Sequence, residues 1–309
     1  MPLSIAYLLR TVTCLSLGAV CLWSCEEAVD LDLEVPKSRL VISSSFIPDQ
    51  PVVLQLSATQ PRGADPVGPI MDARVTLYEG MDLAEELTYF PSPESDRPGI
   101  YRTKKFRPQA GHQYTIHVSA LGYDPVTAIS TIPEAIGINS LAVTGMSVSE
   151  QEGTALYDYH LLVDYADPAN QTNYYDLRIL QMVVPFKLDS RGDTVRLQPY
   201  VKSVQTPVHQ TFNGQVVSIL LQDKPMAPVL DVHLQCRLDP RSELLGQVIA
   251  ELRTVSPEYY FYQRSINRPD ELLNSGLKDP VIIFNNVDQG LGVFAGYTSV
   301  SKELHLPGH

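Results

Sequence analysis

The chain has 309 residues, of which 44% are apolar and 19% charged, so it is long enough for two ordinary domains and too apolar to be disordered. Its formal net charge is −12, which lacks the basic footprint that nucleic-acid binding requires.

The first element is an uncharged apolar run from Thr11 to Ser24, preceded by Arg10. A bilayer-spanning helix needs roughly 20 apolar residues, so this run is too short and has the layout of a secretory signal peptide. It ends in Leu22-Trp23-Ser24-Cys25, which resembles the lipobox of bacterial lipoproteins, with Trp23 standing where a small residue is usual. The resemblance implies cleavage before Cys25, lipid on its sulfur and acylation of the new amino terminus. Stable anchoring takes two or more acyl chains. Glu26, Glu27, Asp30, Asp32 and Glu34 follow as an acidic tether that resembles the surface-export signals of Bacteroidota lipoproteins. A calcium loop counted from Asp30 fails, because Val35 and Val41 occupy the places of the required Gly and Glu. With Cys14 and Cys21 in the signal and Cys25 lipidated, Cys236 remains alone and no intrachain disulfide is expected.

From residue 39 onward, short period-two runs alternate with Pro, Gly and Asp clusters. They lie near Leu40–Phe46, Val52–Ser57, Val75–Glu79, Glu86–Phe90, Gly99–Arg102, Gln113–Ser119 and Val126–Ile132. Strands at this spacing predict an all-β sandwich. Asp72–Leu77 and Gly111–Ile116 look like the corresponding stretches of immunoglobulin-like carboxypeptidase-regulatory modules. Ile132–Gly137 breaks the pattern and reads as a boundary. The expected organisation is a signal peptide over 1–24, a tether over 25–38, an immunoglobulin-like β-sandwich over 39–134, and a larger β-rich domain with one short helix over 135–309.

In the second part, Tyr159, Leu161, Val163 and Tyr165 share one face. Tyr174–Phe186 and Val195–Val204 predict a long hairpin around Ser190-Arg191-Gly192-Asp193, where Gly and Asp act as turn residues rather than as an adhesion motif. Asp231–Asp239 alternates strictly and puts Cys236 on the apolar face, as an inert buried thiol. Ser256-Pro257-Glu258 predicts a helix start. Tyr259, Tyr262 and Ile266 then form a packing stripe, and Pro269 marks the end.

No catalytic, metal or cofactor motif emerges. The seven histidines form no His-Glu-x-x-His pair, and no Gly-x-Ser-x-Gly elbow or phosphate loop is present. Gly290-Leu291-Gly292-Val293-Phe294-Ala295 matches a dinucleotide fingerprint, but too few residues follow for the rest of that fold, and its glycines are read as structural.

Pro280–Val287 leading into Gly290–Tyr297, with Asn173–Arg178 and Ser256–Tyr260, resembles the Bacteroidota lipoproteins called domain of unknown function 4249. The likeness runs from Cys25-Glu26 through nearly the whole chain. It implies an anchored β protein of the outer membrane, encoded beside TonB-dependent receptors, exposed at the cell surface and accessory to uptake. It implies no catalytic residue, no cofactor and no metal. The expected partners are the outer membrane, through palmitate on Cys25, and a TonB-dependent transporter, which the protein serves as accessory or cargo binder. A surface enzyme whose catalytic residues meet only in three dimensions, and an adhesion or sugar-binding sandwich, remain open alternatives.

Overall fold

Period-two alternation becomes strand wherever it is sustained. In the computed structural model, residues 37–60, 68–93, 98–168, 171–206, 210–212, 216–223, 229–267 and 282–306 are described. Strand β1 (Leu40–Phe46) buries Leu40, Ile42 and Phe46, and β2 (Val53–Ala58) buries Leu54 and Leu56. The chain continues through β3 (Arg74–Glu79), β4 (Asp82–Glu86), β5 (Thr88–Phe90), β6 (Ile100–Arg102), β7 (Gln113–Ser119) and β8 (Val126–Thr131). The run expected over Glu86–Phe90 is divided: β4 and β5 belong to different sheets, and buried Leu87 lies at the crossing.

The remainder supplies β9 (Ile138–Gln151), β10 (Thr154–Tyr165), β11 (Tyr174–Leu188), β12 (Thr194–Arg196), β13 (Tyr200–Lys202), β14 (Gln210–Phe212), β15 (Val216–Gln222), β16 (Leu230–Leu238), β17 (Glu243–Val255), helix α1 (Pro257–Ile266), β18 (Val287–Asp288) and β19 (Leu291–His305). The fold is mainly β. An 11-stranded sheet runs β14-β15-β11-β17-β19-β1-β2-β6-β5, with β12 and β13 beside β11. A five-stranded sheet, β18-β8-β7-β3-β4, packs on the β1–β2–β6 part of it, and a three-stranded sheet, β16-β10-β9, packs on the β11–β17 part.

Two cores result. One gathers Leu40, Ile42, Phe46 and Leu54 against Leu77, Tyr114, Ile116 and Val118. The other gathers Tyr175, Leu177, Ile179 and Leu252 against Tyr159, Leu161, Leu234 and Cys236. Each fully buried side chain of this kind contributes about 1.5–3 kcal/mol. Among the described residues Cys236 is the free cysteine and no disulfide is present, so packing carries the stability.

The strand β19 joins the two halves. Its first part lies parallel to β1, from Val41↔Leu291 to Phe46↔Gly296; its second lies antiparallel to β17, from Val255↔Tyr297 to Gln247↔His305. Parallel neighbours require a crossover connection, and here that connection runs from β2 to β18 and includes the whole second sandwich. The first core therefore includes Val287 and Phe294 from the C-terminal stretch, which the sequence pattern assigns to the region after residue 134.

The glycines of this stretch are structural. A Cβ on Gly292, where φ is +109°, would lie 1.9 Å from the Ile42 carbonyl oxygen, and one on Gly296 would lie 2.8 Å from the Thr131 oxygen. At that junction the Ser130 Oγ accepts from the Gly296 N–H at 3.1 Å and lies 3.1 Å from the Ser256 Oγ.

Helix α1 starts as expected, with the Ser256 Oγ accepting the Tyr259 N–H at 3.3 Å, but it ends at Asn267 rather than at Pro269, which lies outside the described residues. Its packing face also differs. Tyr259 and Tyr260 are buried, against Val255, Val293 and Ala295, whereas Ile266 is 44% exposed. The helix rests on β17 and β19 of the large sheet, and the adjacent aromatics Tyr259 and Tyr260 make the buried contact.

Candidate functional site

Cys25 and the acidic tether lie outside the described residues, as do His209 and His309. Cys236 is fully buried on β16, and burial pushes its thiol up to about 12. The thiolate needed for nucleophilic chemistry is therefore suppressed. Among the described residues, no three His, Cys, Asp or Glu side chains gather as a metal ligand set, and no helix is long and apolar enough to cross a membrane. The Arg191-Gly192-Asp193 segment is a turn: the Asp189 carboxylate accepts the N–H groups of Arg191 at 2.8 Å and Asp193 at 2.9 Å, and Gly192 has φ +83°.

The outer face of the large sheet carries a buried ionic row. Asp176 and Arg178 on β11 face Arg253 and Glu251 on β17 in register. The Asp176 carboxylate accepts from the Arg178 Nε at 2.9 Å, from the Ser218 Oγ at 2.6 Å and from the Tyr259 hydroxyl at 2.9 Å. Arg253 and Ser299 both donate to Glu251 at 2.7 Å. The Arg253 guanidinium also lies 4.7 Å from the Tyr297 ring centre. Burial alone would push the Glu251 carboxyl up, but the Arg253 and Ser299 donors outweigh it and hold it low. Burial, reinforced by Asp176, pushes the Tyr259 phenol up. Acids and arginines balance within the row, so it locks α1 onto the sheet and leaves no reactive group. Its signal in the sequence is an acid-Leu-Arg pattern written twice, Asp176-Leu177-Arg178 and Glu251-Leu252-Arg253, which puts both charges on one strand face.

On the outer face of the three-stranded sheet, His160 and His233 are register partners and stack with ring centres 4.9 Å apart. The His160 Nδ1 lies 2.8 Å from Asp231, and the His233 Nε2 lies 2.9 Å from Asp158. Gln235 and His233 hold the Asp158 carboxyl low. Each ring has one nitrogen on a carboxylate, and the pair is not part of a metal-ligand cluster among the described residues.

Among the described residues, a cavity with room for a ligand and a largely apolar lining lies at the far end of the second sandwich. It has a volume of about 580 Å³ and is lined by Tyr157 of β10, by apolar side chains of β11 and β17, by Arg196 of β12 with Pro199 after it, and by Gln247, His305 and Leu306. A β-bulge shapes its wall: between Gln181 and Val183 the register of β11 against β17 shifts, and a Cβ on Gly246 would meet the Met182 oxygen at 2.7 Å. Bulges of this kind re-aim side chains beside sites. The fully buried Gln181 holds the bulge, donating to the carbonyls of Met182 at 2.7 Å and of Gly246 and Gln247 at 3.3 Å. Its own carbonyl oxygen accepts the Tyr159 hydroxyl at 2.5 Å. At the rim, Lys202 donates to Glu243 at 2.7 Å, and the Tyr200 hydroxyl donates to the same carboxylate. No sequence motif marks this cavity, because five separate segments build it.

The sequence profile of a family described as Domain of unknown function (DUF4249) matches residues 26–303. Among curated proteins none matches the chain.

Proposed function

The chain belongs to this family of unknown function, and from that premise we propose that it is a non-catalytic outer-membrane lipoprotein. It serves a TonB-dependent transporter, by docking on the transporter or by holding its cargo. The observation that carries this reading is the distal cavity, which is open, mostly apolar and without Asp, Glu, Ser, Thr, Cys or Lys in its lining. Such a lining suits binding rather than bond cleavage. The anchor follows from Leu22-x-Ser24-Cys25, and the transporter from the genomic neighbourhood that the family resemblance implies.

The dimensions support the reading. Extended, Glu26–Ser38 reaches at most about 45 Å. From its entry beside β1 to the cavity at His305, the 15 residues of β19 extend roughly 45 Å further along the sheet. A tether also confines the search to the membrane plane, so a weak interface suffices.

The test is site-specific photo-crosslinking in intact cells that express the protein natively. Probes at Leu197 and Tyr200, beside the cavity, should recover a TonB-dependent transporter, whereas a probe at the fully exposed Met81 of the first sandwich should not. Recovery of periplasmic proteins alone, or protection from external protease, would overturn the reading. Cys25→Ala should release the protein to the soluble fraction and abolish palmitate labelling. Deleting residues 135–309 would be a poor substitute, since it removes β19 from the first core.

A further inference from the structure

The distal cavity has a chemistry more specific than its apolar character. Its volume of about 580 Å³ matches a small organic molecule rather than a folded partner. Met182, Val184, Leu244 and Leu306 supply an apolar wall. Besides Tyr157, three polar side chains border the same space: Arg196, Gln247 and His305. None of the three side chains has a hydrogen-bond or ionic partner among the described residues.

The charge pattern is selective. The chain carries 35 acidic residues against 23 basic ones, yet no Asp or Glu lines this cavity. The nearest carboxylate along β17, Glu243, is engaged by Lys202 and Tyr200 at the rim. Three other arginines meet acids, Arg74 with Glu86, Arg178 with Asp176 and Arg253 with Glu251, whereas Arg39 and Arg107 donate to backbone carbonyls and Arg102 covers the Phe90 ring. Arg196 borders the open cavity without such a partner among the described residues, and a guanidinium's planar donor fork recognises a carboxylate or a phosphate.

The supporting backbone is built rather than incidental. Gln247 and His305 are register partners on β17 and β19, and Gln247 sits at the bulge that buried Gln181 holds. Two donors therefore come from adjacent strands of the sheet and the third from β12 across the opening.

We propose that this cavity binds a small organic anion: an apolar body seated on Met182, Val184, Leu244 and Leu306, with its acidic group received by Arg196, Gln247 and His305. The inference rests on the reading of this protein as a binder rather than a catalyst, and it does not depend on the transporter.

Isothermal titration of the chain carrying Cys25→Ala tests it with 2-naphthoate and octanoate, the matched alcohols 2-naphthalenemethanol and octanol, and the matched amine 2-naphthylmethylamine. At least one anion should bind, at least roughly tenfold tighter than its alcohol, with the amine weaker still. Arg196→Gln, checked by an unchanged Tm, should reduce anion affinity about tenfold, the scale of one lost charge-assisted pair, and leave alcohol binding in place. Leu244→Trp, which fills the apolar wall, should abolish both. Absence of binding by both anions at millimolar concentration would overturn the proposal, as would equal affinity for anion and alcohol or indifference to Arg196→Gln. Crosslinking at Leu197 and Tyr200 reads the transporter contact separately, so failure of one assay leaves the other intact.

Discussion

Replacing Gly292 by Ala should destabilise the protein by about 2–6 kcal/mol. At φ +109° the backbone is in a region that side chains with a Cβ rarely adopt, which costs about 1–3 kcal/mol. The added methyl would also lie 1.9 Å from the Ile42 oxygen and 2.9 Å from its carbonyl carbon. Ile42 is the register partner of Gly292 in the parallel β1–β19 pair, so the obstacle is backbone and cannot swing aside. The strands must separate by about 1 Å, a distortion that costs a further 1–3 kcal/mol or so, as overpacking does. The sum is a large part of the roughly 5–15 kcal/mol that holds a domain together. Urea unfolding followed by far-UV circular dichroism and tyrosine fluorescence measures it. Trp23 is the only tryptophan, so the chain from residue 26 onward has none to report. Gly80→Ala is the control: its φ is +58° with nothing within 4 Å of the added carbon, and the cost should be about 1–2 kcal/mol. If Gly292→Ala lost no more than Gly80→Ala, the account of this stretch as a close backbone approach would be wrong.

Three further outcomes are expected. Cys236 should stay unlabelled by thiol reagents until the protein unfolds, and Cys236→Ala should cost about 1–2 kcal/mol; because its thiol pKa is raised from 9.0 to about 12, the stability it lends is present below pH 9 and lost as pH rises toward 12. Asp176→Ala should destabilise by about 3–5 kcal/mol in urea titrations, since it leaves Arg178 and the Tyr259 hydroxyl without their carboxylate. Glu251 has a depressed pKa, so its contribution is present above the ordinary value of 4.5 and lost as pH falls through the folded value; Glu251→Gln should flatten the acid limb of a stability–pH curve, and an unchanged limb would remove the Arg253 pairing from the explanation.

The local features of this protein were legible in its sequence. Alternation over Leu40–Phe46, Gln113–Ser119 and Asp231–Asp239 predicts strands with the right face inward, because a strand repeats every second residue and needs no knowledge of its partner. Ser256-Pro257-Glu258 predicts the helix start, and Cys236 falls on the buried face, for the same reason: both depend on neighbours in the chain. Tertiary structure alone decided what each strand meets. Leu291–Gly296 lies against β1, some 250 positions earlier, and periodicity carries no record of a partner at that distance. The helix leaves Ile266 exposed and packs Tyr259 and Tyr260 on Val255, Val293 and Ala295, partners that its own sequence does not name. Arg196, Gln247 and His305 meet at one cavity because β11, β17 and β19 stop at the same end of the sheet, where a bulge opens the wall. Period and capping are properties of adjacent residues; a binding site is a property of where distant strands end.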